Sequence, residues 1–118
     1  MRFTVPADSA ADFLVKANAA LDVLAVRPGW RSARIGRATD HGDLWTVTTE
    51  WDSVGSYRRA LGDYDVKVTA VPLLSLALDE PSAFEVLDAT GLGAEGLAAP
   101  SARAPDADVT GPGAQRLP

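Results

Sequence analysis

The sequence predicts an α+β fold, with one four-stranded antiparallel sheet and helices packed on one of its faces. Three observations predict it. An Ala- and Leu-rich segment from Ala10 to Val26 carries an apolar stripe at helical spacing and follows a short alternating segment. Two strand-like runs, Trp30 to Thr39 and Leu44 to Trp51, flank the turn-forming quartet Asp40-His41-Gly42-Asp43. The resulting order is strand, helix, strand, strand, helix, short helix, strand, which is the ferredoxin-like split βαβ sandwich.

Arg2-Phe3-Thr4-Val5 alternates polar and apolar residues and ends at Pro6. Asp8 or Ser9 is then placed to cap a helix by accepting from free backbone amides. In that helix Phe13, Ala17, Leu21 and Leu24 form the apolar stripe, Asp12 and Lys16 form an i, i+4 pair on the solvated side, and Pro28-Gly29 ends it. The following strand sets Trp30, Ser32 and Arg34 on one parity and Ala33, Ile35 and Arg37 on the other. In the next, Trp45, Val47, Thr49 and Trp51 share a face opposite Leu44, Thr46, Thr48 and Glu50. Asp52-Ser53 caps a helix from Val54 to Leu61, which Gly62-Asp63 breaks. Asp65 to about Leu74 reads as a short helix that Pro72 ends or kinks, and Ser82 to Leu87 as a last strand.

Composition narrows function before any motif does. The chain has 118 residues, is 47% hydrophobic and 23% charged, and fits one domain. A net charge of −5 opposes both a nucleic-acid partner and an anionic membrane surface. With no cysteine, disulfides, thiolate nucleophiles and cysteine metal sites are excluded. No apolar stretch of signal-peptide or membrane-span length is present, which predicts a cytoplasmic location. From Ala89 to Pro118, 17 of 30 residues are Ala, Gly or Pro and none is aromatic. Such a stretch buries too little apolar surface to offset its ordering entropy, so the folded unit is expected at 1–88, with 89–118 a disordered tail or a segment that folds on a partner.

A sheet with helices on one face leaves the other to be covered. A symmetric second copy is the simplest cover, so a homodimer is expected.

Two segments carry a resemblance: Ala25-Val26-Arg27-Pro28-Gly29-Trp30, and Leu44 through Trp51 continuing into Asp52-Ser53. They resemble the antibiotic biosynthesis monooxygenase family, in which a long helix ends in Pro-Gly-aromatic and a later strand ends in Glu-Trp-(Asp or Glu)-Ser. Tyr64-Asp65-Val66-Lys67, Pro72-Leu73-Leu74 and Asp79-Glu80-Pro81-Ser82-Ala83-Phe84-Glu85 look like an actinobacterial branch of it. The resemblance spans about residues 2–88. It implies pairing as a dimeric α/β barrel with a cavity between helices and sheet in each subunit. It also implies oxidation of small aromatics, such as anthrones, by dioxygen without metal or flavin. An electron-rich phenolate can pass an electron to oxygen itself, so the protein need only position it and stabilise the anion. Haem-degrading relatives carry a histidine on the second helix, where this chain has Ala60 and Leu61, so haem degradation is not implied.

The residues then sort as follows. Trp51, Tyr57 and Asn18 are the catalytic candidates: Trp51 from its place in the resemblance, Tyr57 as a phenol able to exchange a proton, and Asn18 as a poor helix former able to bind substrate oxygen. Arg34, Trp45 and Tyr64 are the substrate-binding candidates, supplying a cation, a stacking ring and a phenol. Each has a plainer reading as core packing, a solvated charge or a half-buried structural tyrosine. His41 sits in a turn context, Asp63 and Asp65 read as turn and cap residues, and no spaced set of metal ligands is present. The two functional readings are a cofactor-independent oxygenase and a non-catalytic dimeric module of the same fold.

Overall fold

The computed structural model describes residues 1–91 and the backbone of residues 109–110. Its strands are β1 (Arg2–Thr4), β2 (Trp30–Arg37), β3 (Leu44–Trp51), β4 (Phe84–Glu85) and β5 (Val109–Thr110). Its α-helices are α1 (Ala10–Ala25), α2 (Val54–Leu61), α3 (Tyr64–Thr69) and α4 (Val71–Leu74). A 3-10 turn, Ala7–Ser9, leads into α1.

β3 is the centre of the sheet. β2 pairs antiparallel along one of its edges. The other edge is shared, with β1 beside Leu44–Thr46 and β5 beside Glu50. β3 alternates strictly between buried and half-buried residues, and Trp45, Val47, Thr49 and Trp51 point into the core. Phe13, Ala17, Ala20 and Leu24 of α1 and Val66 of α3 are buried in the same core. The helices therefore cover one face, and Arg34, Thr48 and Glu50 lie on the other.

The predicted sheet and the observed one differ in the fourth strand. The expected strand at Ser82–Leu87 contracts to Phe84–Glu85, and it joins the sheet through β5. The outer edge of β1 is taken by the chain just before it. Leu78 donates its amide to the Arg2 carbonyl at 2.8 Å, and the Arg2 guanidinium grips the Glu80 carboxylate at 2.8 to 3.1 Å. The sheet thus consists of three principal antiparallel strands and two strands of two residues each, not four strands. Most of the tail expected at 89–118 lies outside the described residues.

Three local expectations are also corrected. Ser9 already has helical backbone angles, so its hydroxyl makes no cap and meets the Asp8 carboxylate instead. The short helix expected at 65–74 divides at Ala70 into α3 and α4, with Pro72 in the first turn of α4, where no amide donor is needed. A register shift between Trp30 and Ser32 places two residues of β2 against one of β3, so Trp30 turns to the helix-covered face and Arg34 stays on the opposite one.

Asp63 caps α3 and ties it to the end of α1. One carboxylate oxygen accepts from the amides of Asp65 and Val66 at 3.1 and 3.3 Å, and the other meets Arg27 at 3.2 Å. Asp63→Ala is expected to lower unfolding free energy by about 1–2 kcal/mol in urea titrations, mostly through the lost cap. Asp63→Asn, which keeps an accepting oxygen, is expected to retain most of that stability.

Candidate functional site

Two aromatic clusters occupy the helix-covered face, one at each end of β3. At its C-terminal end Trp51 is fully buried, and Trp30 meets it edge-on with ring centres 5.3 Å apart. Tyr57 lies on the first full turn of α2 and tilts against Trp51 at 5.7 Å. The Ser53 hydroxyl fixes that helix start by accepting from the Ser56 amide at 3.1 Å. The Trp51 indole N–H donates to the Thr49 hydroxyl at 3.0 Å, so this indole is satisfied inside the core.

Tyr57 supplies the chemistry of this end. Burial pushes its phenol well above the ordinary tyrosine range, because the phenolate would lose its solvation. At neutral pH it is a hydrogen-bond donor and not a base. Nearby carboxylates are engaged elsewhere: Asp52 pairs with Arg31 at 3.1 Å, and Glu50 with Arg34 on the outer face at 3.7 Å. The cluster can therefore stack a flat ring and donate to an oxyanion, but it supplies no carboxylate to take a proton.

The opposite end holds Phe3, Phe13 and Trp45, with ring centres 5.2 and 5.5 Å apart in succession. The Arg37 guanidinium lies 5.7 Å from the Trp45 ring centre. Trp51 lies six residues along the strand from Trp45, which is about 20 Å at ~3.3 Å per residue.

The sequence candidates accordingly divide. The structure brings Trp51 and Tyr57 together and leaves the rest apart. Trp45 belongs to the far cluster. Arg34 is on the other face of the sheet, more than half exposed. Asn18 is exposed, and its side-chain amide returns to the Leu14 carbonyl at 2.9 Å, so it does not face the core. Tyr64 is 77% exposed at the start of α3. His41 lies exposed in the hairpin turn. Among the described residues, no group of three or more His, Cys, Asp or Glu could hold a metal ion. No helix among them is long and apolar enough to cross a membrane.

Sequence reasoning missed two members of these clusters. Strict strand parity sends Trp30 to the wrong face, and only the bulge restores it. Arg37 shares the parity of Ile35 and could have been placed on the covered face from that alternation alone.

Comparison with known proteins agrees with this architecture. No curated protein matches the chain. A solved structure titled as a conserved protein from Methanosarcina mazei Go1 has the same fold, with a TM-score of 0.56 and 19% identity over 68% of this chain and 78% of that one. The antibiotic biosynthesis monooxygenase family matches residues 1–69, from β1 through α3, which includes the whole Trp30–Trp51–Tyr57 cluster. That span exceeds half of the 118 residues, and the chain belongs to the antibiotic biosynthesis monooxygenase family.

Proposed function

We propose that the protein is a cofactor-independent, monooxygenase-like enzyme acting on a small, flat, oxidisable aromatic of the anthrone or quinol type. The observation that carries this reading is Tyr57: a phenol held neutral by burial, fixed on a capped helix and packed against Trp51 within the segment that defines the family. The substrate must lose its proton readily, because the cluster has no base of its own. Tyr57 then donates to the resulting enolate oxygen, and the aromatic rings hold the substrate flat. Electrons come from the substrate. An anthrone methylene plus one dioxygen gives the quinone carbonyl plus one water, so no outside reductant is required.

The assembly in this reading is a homodimer, of cytoplasmic location and of the actinobacterial branch. The two outer sheet faces meet as a dimeric α/β barrel and cover Leu44, Thr46 and Thr48, which are only half-buried in the single chain.

A second reading, a non-catalytic dimeric binding or structural module, is favoured by one observation. Trp51 has no exposed surface, and its N–H is already satisfied by Thr49. A ring in that state is core packing and reaches a ligand only if Trp30 or Tyr57 moves.

The test is oxygen consumption with an anthrone such as dithranol, above the rate without protein. The wild type is expected to accelerate uptake. Tyr57→Phe is expected to lose about 100- to 1,000-fold of that acceleration, the scale of one removed oxyanion donor. A wild type that leaves the spontaneous rate unchanged, for dithranol and for a quinol, removes the oxygenase reading and leaves the module.

A further inference from the structure

The corner at the far end of β3 holds a buried hydrogen-bond donor without a partner among the described residues and, over its ring, an exposed guanidinium. The Trp45 indole nitrogen has almost no exposed surface and, among the described residues, no hydrogen-bond partner, although the residue is 92% buried, its exposure being 8%. Trp51 on the same face satisfies its own indole through Thr49, two residues before it on β3. The residue two before Trp45 is Asp43, in the turn that precedes the strand, and it makes no such bond. Above the Trp45 ring sits Arg37, which is exposed and, among the described residues, has no ion pair. The other arginines of the sheet, Arg2, Arg31 and Arg34, each hold a carboxylate.

A buried donor left unmade is costly, and a buried indole N–H ordinarily finds a partner. A free guanidinium over the ring that carries that donor defines what the partner must be. Both groups donate only, so they select an acceptor, and the positive charge selects an anion. The wall beside them is apolar: Phe13 packs edge-on against Trp45, and half-buried Ile35 lies two residues before Arg37 on the same face of β2. The guanidinium sits over the ring on a long flexible stem, so it can turn to meet a ligand without moving the sheet.

We propose that the Arg37–Trp45 corner is a binding site for a small organic carboxylate with an apolar body. One carboxylate oxygen accepts from the Trp45 indole N–H, and the Arg37 guanidinium pairs with the carboxylate. The site lies about 20 Å along β3 from Trp51, at ~3.3 Å per residue, and does not depend on the oxygenase reading.

Proton–nitrogen NMR of the chain, which has three tryptophans, tests this with benzoate as the probe. The Trp45 indole resonance is assigned through its proximity to the Phe13 ring. It is expected to move saturably towards lower field with benzoate, while the Trp30 and Trp51 indoles stay in place. Arg37→Gln, an exposed substitution, is expected to weaken the apparent affinity about tenfold or more, the scale of one lost charge-assisted hydrogen bond. Benzamide, the neutral analogue, is expected to leave the resonance unmoved. The site is overturned if benzoate does not shift Trp45, or if Arg37→Gln or benzamide titrates as the wild type does with benzoate. Benzoate is not consumed by oxygen, so a chain that binds it here yet takes up no oxygen keeps this site and loses only the oxygenase.

Discussion

Trp51→Ala is expected to cost about 3–5 kcal/mol of unfolding free energy, the range for a large buried ring removed from a packed core. A small domain has on the order of 5–10 kcal/mol to lose, so the variant is expected to forfeit roughly a third or more of its stability. Trp51 is the largest of the fully buried side chains, and it is held from two sides by Trp30 and Tyr57. No neighbour is free to close the gap, because Trp30 is anchored in a bulged strand and Tyr57 in a capped helix. Trp51→Phe is expected to fall between, at about 1–2 kcal/mol, since it keeps most of the ring volume but leaves the buried Thr49 hydroxyl without its indole donor. Urea unfolding followed by far-ultraviolet circular dichroism measures both without relying on the fluorophore being removed. A Trp51→Ala chain within 1 kcal/mol of wild type, on the scale of surface substitutions, would mean the ring fills no essential volume. That outcome would strengthen the case that this end of the core opens to a ligand.

The same residue shows how legible the fold was and where legibility ended. Alternation in Leu44 to Trp51 placed four side chains on one face, and all four share the covered one, because burial on one face of a strand imposes a period of two. The helix bounds at α1 and α2 followed from Pro28-Gly29 and from Ser53, which act through local backbone chemistry. Trp30 failed because a bulge is set by pairing with a distant strand and shifts parity without a mark in the strand itself. The fourth strand was only partly legible for a similar reason. Residues 82–87 have strand-like composition, but the paired part is Phe84–Glu85 beside β5, and the outer edge of β1 is taken by Leu78 and Glu80. In the site, residue type identified Trp51 and Tyr57, and one segment set their spacing. Asn18, Arg34 and Tyr64 were chosen for chemistry alone, and where a side chain points is decided by which face its element buries. The Trp45 corner was half visible: its ring was a candidate, but an unpaired N–H is a property of the packed state only.

Gly29→Ala is expected to be as damaging as the loss of Trp51, although it adds a single methyl group. Gly29 has φ of 90°, a backbone conformation that L side chains rarely adopt and that costs about 1–3 kcal/mol when they do. A Cβ there would also sit 2.3 Å from the Ser56 Cβ and Oγ. Ser56 is buried near the start of α2, so it is the helix itself, not a flexible side-chain end, that would have to move. That displacement adds about 1–3 kcal/mol, giving about 2–6 kcal/mol in all. The Gly29 carbonyl also accepts from the Asp52 amide at 2.8 Å, just before the Ser53 cap. The turn that ends α1 therefore sets where α2 begins, and with it the position of Tyr57 against Trp51. The Pro-Gly-aromatic segment and the Glu-Trp-Asp-Ser segment are two halves of one contact, which explains why they stand together in this fold. The two costs separate in a double variant. Gly29→Ala with Ser56→Gly removes the clash but not the backbone strain, and it is expected to unfold at a higher urea concentration than Gly29→Ala alone, without reaching wild type. If the second substitution recovers nothing, the contact with Ser56 is not what excludes a side chain at position 29. If Gly29→Ala is as stable as wild type, the left-handed turn does not hold α2 against the end of α1.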